Sequence, residues 1–133
     1  ITAFFTVLVE GDDLSDPIAD QSRSILDGHI VLSRELTDYG IYPPISIQNS
    51  ASRVMSDVIE VEHKKAAQKF KRLSSILKEN EVLVRIGAYE KGNDKELDLA
   101  LSKKDKMNLF LQQNPEEMFE FETTINELKQ IIA

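Results

Sequence analysis

Two short segments of this 133-residue chain carry side chains that could take part in chemistry. The first holds Tyr42, followed by Pro43 and Pro44. Because prolines restrict the neighbouring backbone, this ring could stack on a flat ligand or simply pack against the protein. The second holds Arg53, which stands among small residues just before a predicted helix. Taken alone, such an arginine predicts only solvent exposure or an ordinary ion pair.

The composition excludes several other kinds of site. The chain has no Cys, which excludes a disulfide, a thiolate zinc site and a cysteine nucleophile, and its two His are scattered. It contains neither a G-x-x-x-x-G-K-[ST] phosphate loop nor a G-x-G-x-x-G turn. Asp12, Asp13 and Asp16 lack the glycine and the distal Glu of a calcium loop, so a loop that caps the next helix is favoured. The net charge of −7 argues against nucleic acid as the main partner.

The elements that would position Tyr42 and Arg53 alternate between strand and helix. Residues 1–9 read as a buried strand with no initiating Met, which predicts a piece cut from a longer chain. Asp16 before Pro17 predicts the start of a helix that ends at Gly28 in the left-handed conformation. Residues 29–32 read as a second buried strand, followed by a short helix that Gly40 stops. This order predicts an α/β sheet with parallel strands.

The rest of the chain predicts a bundle of three main helices. Apolar residues repeat at steps of three and four along one helix over residues 57–89. Asn93 with Glu96 predicts the start of a second helix, and Asn114 before Pro115 predicts the start of a third. The predicted division is therefore residues 1–55 for the end of an α/β domain and residues 56–133 for a helical domain.

Several segments, in order, resemble the C-terminal part of the rotary-type hexameric ATPases, which include the catalytic subunit of the F-type ATP synthase. They are residues 10–20, 28–36 (GHIVLSREL), 40–43 (GIYP) and 52–55 (SRVM). Residues 86–94 look like the I-G-A-Y-x-x-G-x-D pattern of the flagellar and type III secretion export ATPases. The resemblance implies the end of a parallel α/β P-loop-type nucleotide-binding domain, followed by an all-α C-terminal bundle.

The resemblance also implies site residues. Arg53 matches the arginine that reaches across a subunit interface toward the γ-phosphate of a neighbour's ATP, where a guanidinium can bind two phosphoryl oxygens. Tyr42 matches the aromatic that stacks on adenine, and Pro43 closes one side of that pocket. Phe110 matches an aromatic on the opposite side of the base, although it also fits the apolar stripe of a core helix. No metal ligand is implied within these residues.

A function follows from the resemblance as an expectation. The parent would be a cytoplasmic ATPase, peripheral to the inner-membrane export apparatus, that hydrolyses ATP with Mg²⁺ in a homohexamer to drive protein export. Its Mg²⁺ ligands would lie outside this chain, and its partners would be a stator-like regulator, a central stalk protein, the export gate and chaperone–substrate complexes. A flagellar system is preferred over a virulence system. The alternatives are a non-catalytic protein-interaction module and an F-type ATP synthase subunit.

Overall fold

The computed structural model describes residues 1–13 and 15–133, without the side chain of Asp12. After a 3-10 turn at Glu10–Asp12, these residues form helices and two short strands. The helices are α1 (Pro17–Ile25), α2 (Arg34–Asp38), α3 (Met55–Val58), α4 (Val61–Glu79), α5 (Glu81–Arg85), α6 (Lys95–Leu111) and α7 (Phe121–Ile132). The strands are β1 (Gly28–His29) and β2 (Ala51–Ser52). The mixed fold class and the helical second half are therefore confirmed.

The sheet differs from the predicted parallel arrangement. Strand β1 pairs with β2 in antiparallel register, Gly28 opposite Ser52, and a further antiparallel bridge joins Leu32 to Ile45. The chain between these positions includes α2 and then turns back, so that residues 45–52 run opposite to residues 28–32.

Residues 1–9 do not form the strand that their sequence predicts. Their large apolar side chains, Phe4 and Leu8 among them, are mostly exposed. A strand is stable only when a neighbour accepts and donates its backbone hydrogen bonds, and the described sheet contains only β1 and β2. The predicted strand is therefore wrong for the described residues, among which no further strand pairs with residues 1–9.

The start of α1 is confirmed, and its end is not. Asp16 caps the helix by accepting the N–H groups of Ile18 at 2.9 Å and Ala19 at 3.1 Å. Gly28, however, lies in β1 and lacks the positive φ expected of a helix-ending glycine. Its role is close approach, because a Cβ there would lie 3.0 Å from the carbonyl oxygen of Ala51.

The predicted long helix over residues 57–89 is broken into three. The backbone is extended at Ile59 and Glu60, which separates α3 from α4. At Asn80 the side-chain amide and the backbone N–H both donate to the carbonyl of Ile76, at 2.9 and 3.1 Å, and the non-helical backbone of Asn80 (φ −102°, ψ 7°) separates α4 from α5. Gly87 adopts φ of 69° and follows the end of α5 rather than lying inside a helix.

The last two helices begin later than predicted. Asp94, rather than Asn93, caps α6 by accepting the N–H of Glu96 at 2.8 Å. The predicted start at Asn114 is wrong, because the carboxylate of Glu117 accepts the N–H of Asn114 at 2.9 Å and closes a turn there. Helix α7 therefore begins only at Phe121.

The core lies where α4, α6 and α7 pack together. Its buried members are Ala66, Phe70, Leu73, Ala100, Met107, Leu128 and Ile132. The C-terminal end of α7 is held by two lysines, since Lys103 donates to the carbonyl of Ile131 at 2.7 Å and Lys69 donates to that of Ile132. Among the described residues, no helix is both long and apolar enough to cross a bilayer.

Helix α4 also contacts the residues before it. Lys71 donates to the carbonyl of Ser50 at 3.2 Å, and Lys78 pairs with Glu35 at 3.3 Å. Ile47 packs against the helical core. The loop that contains Tyr42 is therefore positioned between α2 and the bundle.

Candidate functional site

Tyr42 stands in a loop whose backbone is fixed on both sides. The N–H of Ile41 donates to the carbonyl of Leu36 at 2.9 Å, and the N–H of Ser33 donates to the carbonyl of Pro44 at 2.8 Å. The Tyr42 side chain is 55% exposed, and Pro43 is exposed beside it. The ring therefore keeps a free surface on a restrained backbone.

The structure brings this loop to the C-terminal end of α6. The N–H of Gln113 donates to the carbonyl of Tyr42 at 2.9 Å. One turn earlier, Phe110 is half-buried, with its ring centroid 5.7 Å from that of Phe70 in the core. Phe110 also lines a cavity of about 530 Å³ between α6 and α7. Phe110 therefore contacts the core and lines a cavity, whereas Tyr42 and Pro43 are not among the residues that line it, and the adenine-binding role of all three stays a prediction.

Arg53 lies at a different place, between β2 and α3. Its N–H donates to the carbonyl of Asp27 at 2.7 Å, and its Nη2 donates to the carbonyl of Arg23 at 3.2 Å. The side chain is exposed and lines a second cavity of about 440 Å³. The two cavities share no lining residue, so Arg53 is not grouped with Phe110.

The acidic loop before α1 has a structural role. Asp16 caps α1, and Asp13 accepts the N–H of Ser15 at 2.8 Å. The side chain of Asp12 lies outside the described part of the chain. Within the described part, His, Asp and Glu form no group of three or more that could hold a metal ion.

Residues 59–130, more than half of the chain, match the family described as the T3SS EscN ATPase C-terminal domain. The chain belongs to this family. Residues 1–52 match the nucleotide-binding domain of the ATP synthase alpha/beta family. The predicted order, the end of a nucleotide-binding domain followed by a helical C-terminal domain, is confirmed. The boundary after residue 55 stays a prediction.

The relatives of this family member confirm the resemblance to the export ATPases. The flagellum-specific ATP synthase of Helicobacter pylori (strain ATCC 700392 / 26695) is 65% identical over 132 residues, 99% of this chain and 30% of that protein. The assembled ATPase EscN of the enteropathogenic E. coli type III secretion system has a TM-score of 0.92 and 45% identity, over 96% of this chain and 31% of that chain.

A second EscN structure, in complex with its central stalk EscO, has a TM-score of 0.83 and 44% identity, over 88% of this chain and 29% of that chain. The chain thus spans about 30% of the length of the curated relatives it matches.

In this family member the I-G-A-Y pattern fixes the turn before α6. The hydroxyl of Tyr89 donates to Asp98 Oδ1 at 2.9 Å, and Asp98 Oδ2 accepts the N–H of Gly92 at 2.9 Å. Burial, followed by the Asp98 hydrogen bond, raises the pKa of Tyr89 above its usual value of 10.0. The folded chain therefore favours the neutral phenol, and this contribution to stability is lost as the pH rises above 10.

Two contacts of the candidate sites were not predicted from the sequence. The backbone bond from Gln113 to Tyr42 joins positions far apart in the chain. The side chain of Arg53 binds the backbone carbonyl of Arg23, and a residue's type does not indicate which side chain its backbone carbonyl will bind. Local patterns identify residue types, but they do not show which backbone groups meet after folding.

Proposed function

We propose that this chain is the C-terminal part of a flagellar or type III export ATPase that hydrolyses ATP between the subunits of a homohexamer to drive protein export. The observation that carries the proposal is 65% identity to a flagellum-specific ATP synthase over 99% of the chain. That relative also favours a flagellar system. In this proposal, residues 1–55 end the nucleotide-binding domain and residues 56–133 form the C-terminal helical domain.

Tyr42, Pro43 and Phe110 would form the adenine pocket of this enzyme. The exposed face of Tyr42 and the cavity beside Phe110 fit a flat base, since a volume of about 530 Å³ lies in the range of small-molecule sites. The hydrogen bond from the Gln113 N–H to the Tyr42 carbonyl would hold the Tyr42 loop beside the end of α6, where Phe110 and Gln113 line the cavity. ATP would supply the phosphoryl group, with Mg²⁺ held by residues outside this chain.

Arg53 would act on the nucleotide of a neighbouring subunit. Its guanidinium has five N–H donors, and the Arg23 carbonyl binds one of them. Its placement away from Phe110 supports this role, because an arginine acting in trans must face the interface rather than its own adenine pocket.

The partners would be those of an export ATPase. The structure of EscN with its central stalk EscO supports a stalk partner, and the assembled EscN structure supports an oligomer. A stator-like regulator, chaperone–substrate complexes and the export gate follow from the family resemblance. The protein would be cytoplasmic and peripheral to the inner-membrane export apparatus.

The isolated 133-residue chain is expected to show no ATP hydrolysis, because its sequence holds no phosphate loop. The full-length protein is expected to hydrolyse ATP under the same conditions. Steady-state phosphate release from both proteins tests the proposed function. Clear turnover by the isolated chain, or none by the assembled full-length protein, would contradict it.

Replacing Tyr42 by Ala is expected to raise the nucleotide dissociation constant of the full-length protein about tenfold, because one base-stacking surface is lost. The Tyr42 carbonyl that accepts from Gln113 remains in the variant. Tyr39→Ala is a matched control, since Tyr39 is also exposed but lies at the end of α2, where its N–H donates to the Glu35 carbonyl. Titration with a fluorescent nucleotide measures the dissociation constant of each variant. Equal constants for Tyr42→Ala and Tyr39→Ala would mean that Tyr42 does not stack on the base.

A further inference from the structure

The cavity that Arg53 lines is polar on all sides. Each of its lining residues is polar or charged, among them Asp20, Arg23, His29, Asn49 and Arg53. This lining holds two arginines against one carboxylate, in a chain whose net charge is −7. A locally cationic pocket on an acidic chain favours an anionic ligand.

The side chain of Arg23 is held there by a weak and replaceable partner. Its Nη2 lies 3.3 Å from Asp20 Oδ1, three residues earlier in α1. The two side chains are 35% and 65% exposed, and an ion pair so open to water contributes little to stability. A phosphate group would bind the same guanidinium more strongly, since it carries more charge and two of its oxygens can accept N–H groups where Asp20 accepts only one.

Arg23 and Arg53 are also joined through the backbone. The carbonyl of Arg23 lies in the last turn of α1 and accepts Nη2 of Arg53 at 3.2 Å. The C-terminal end of a helix carries partial negative charge, which favours a cation at this position. His29 Nε2 donates to the Asn49 carbonyl at 2.9 Å, so the imidazole is fixed as part of the cavity wall.

We propose that Arg23 and Arg53 form one anion site, which binds the phosphate oxygens of a nucleotide held by a neighbouring copy of the protein. Asp20 pairs with the Arg23 guanidinium when no nucleotide is present, and the phosphate oxygens replace it when the nucleotide binds. Arg23 thereby contributes directly to phosphate binding alongside Arg53. This inference rests on the proposed function of Arg53 and adds a second cationic ligand to it.

Two substitutions separate this role from a structural one. In the full-length hexamer, Arg23→Ala removes the guanidinium but keeps the carbonyl that holds Arg53. It is expected to lower kcat/KM for ATP at least about tenfold, as for loss of a hydrogen bond to a charged group. Asp20→Asn removes the competing carboxylate, so it is expected to lower the KM for ATP. If the Arg23–Asp20 ion pair were only structural, Arg23→Ala and Asp20→Asn would both break it, and both would change the ATPase activity in the same direction.

The controls keep the inference distinct from the proposed function. Arg23→Lys retains the charge and is expected to recover part of the lost kcat/KM. Size-exclusion chromatography with light scattering verifies assembly, and if Arg23→Ala does not assemble, the Asp20→Asn and Arg23→Lys variants decide the question. Undiminished activity in Arg23→Ala, or a raised KM in Asp20→Asn, overturns the inference while Arg53→Ala remains inactive. Full activity in Arg53→Ala would instead refute the role proposed for Arg53.

Discussion

Replacing Arg53 by Ala in the full-length hexamer is expected to reduce ATP turnover by about 10³- to 10⁵-fold, the effect typical of an arginine finger. Charge spreads over the phosphoryl oxygens in the transition state, and a guanidinium supplied across the interface stabilises it there. Nucleotide affinity is expected to change far less, because this interaction is strongest in the transition state. Steady-state phosphate release and a separate nucleotide titration measure the two quantities.

Two further variants make the Arg53 result specific. Arg53→Lys keeps the charge without the planar fork and is expected to remain strongly impaired. Arg85→Ala removes an exposed arginine from α5, outside both cavities, and is expected to retain activity. The Arg53 variants must still form the hexamer. If an assembled Arg53→Ala enzyme kept undiminished turnover, Arg53 would have only a structural role, through its bonds with the Asp27 and Arg23 carbonyls.

Short sequence patterns predicted the helix ends at which the backbone N–H groups or the φ angle depend only on residues nearby in the chain. Asp16 before Pro17 starts α1 because the carboxylate is already next to the two N–H groups that it accepts. Gly40, with φ of 70°, follows α2 as its position in the sequence predicts. The same reasoning failed at Asn114, where the side chain of Glu117 reaches back and closes a turn instead of a helix. A cap signal is ambiguous when a second side chain can bind the same backbone.

Elements that depend on distant partners were beyond the sequence pattern. Residues 1–9 have the composition of a buried strand, but a strand exists only in a sheet, and the described sheet does not include them. The candidate site has the same dependence. The motifs identified Tyr42 and Phe110 by type and position, whereas the contact of the Tyr42 loop with the end of α6 depends on the Gln113 N–H. The presence of Arg23 beside Arg53 in one cavity likewise depends on the fold.

The stability of the helical bundle is expected to depend strongly on Met107, which lies one turn before Phe110 in α6. Met107 is 1% exposed and belongs to the core formed by α4, α6 and α7. Met107→Ala leaves a cavity in that core and is expected to lower the free energy of unfolding by about 2–5 kcal/mol. Urea unfolding followed by circular dichroism at 222 nm measures the loss.

Met118→Ala is the matched control for Met107→Ala, because it makes the same chemical change on a side chain that is 95% exposed. Its expected effect is within about 0.5 kcal/mol, since no packed contact is removed. The difference between the two variants therefore isolates burial from the loss of the thioether itself. Because Phe110 packs on Phe70 in the same core, Met107→Ala is also expected to loosen the Phe110 side of the cavity and weaken nucleotide binding in the full-length protein. Equal unfolding free energies for the two variants would contradict the packing of α6 against α4 and α7.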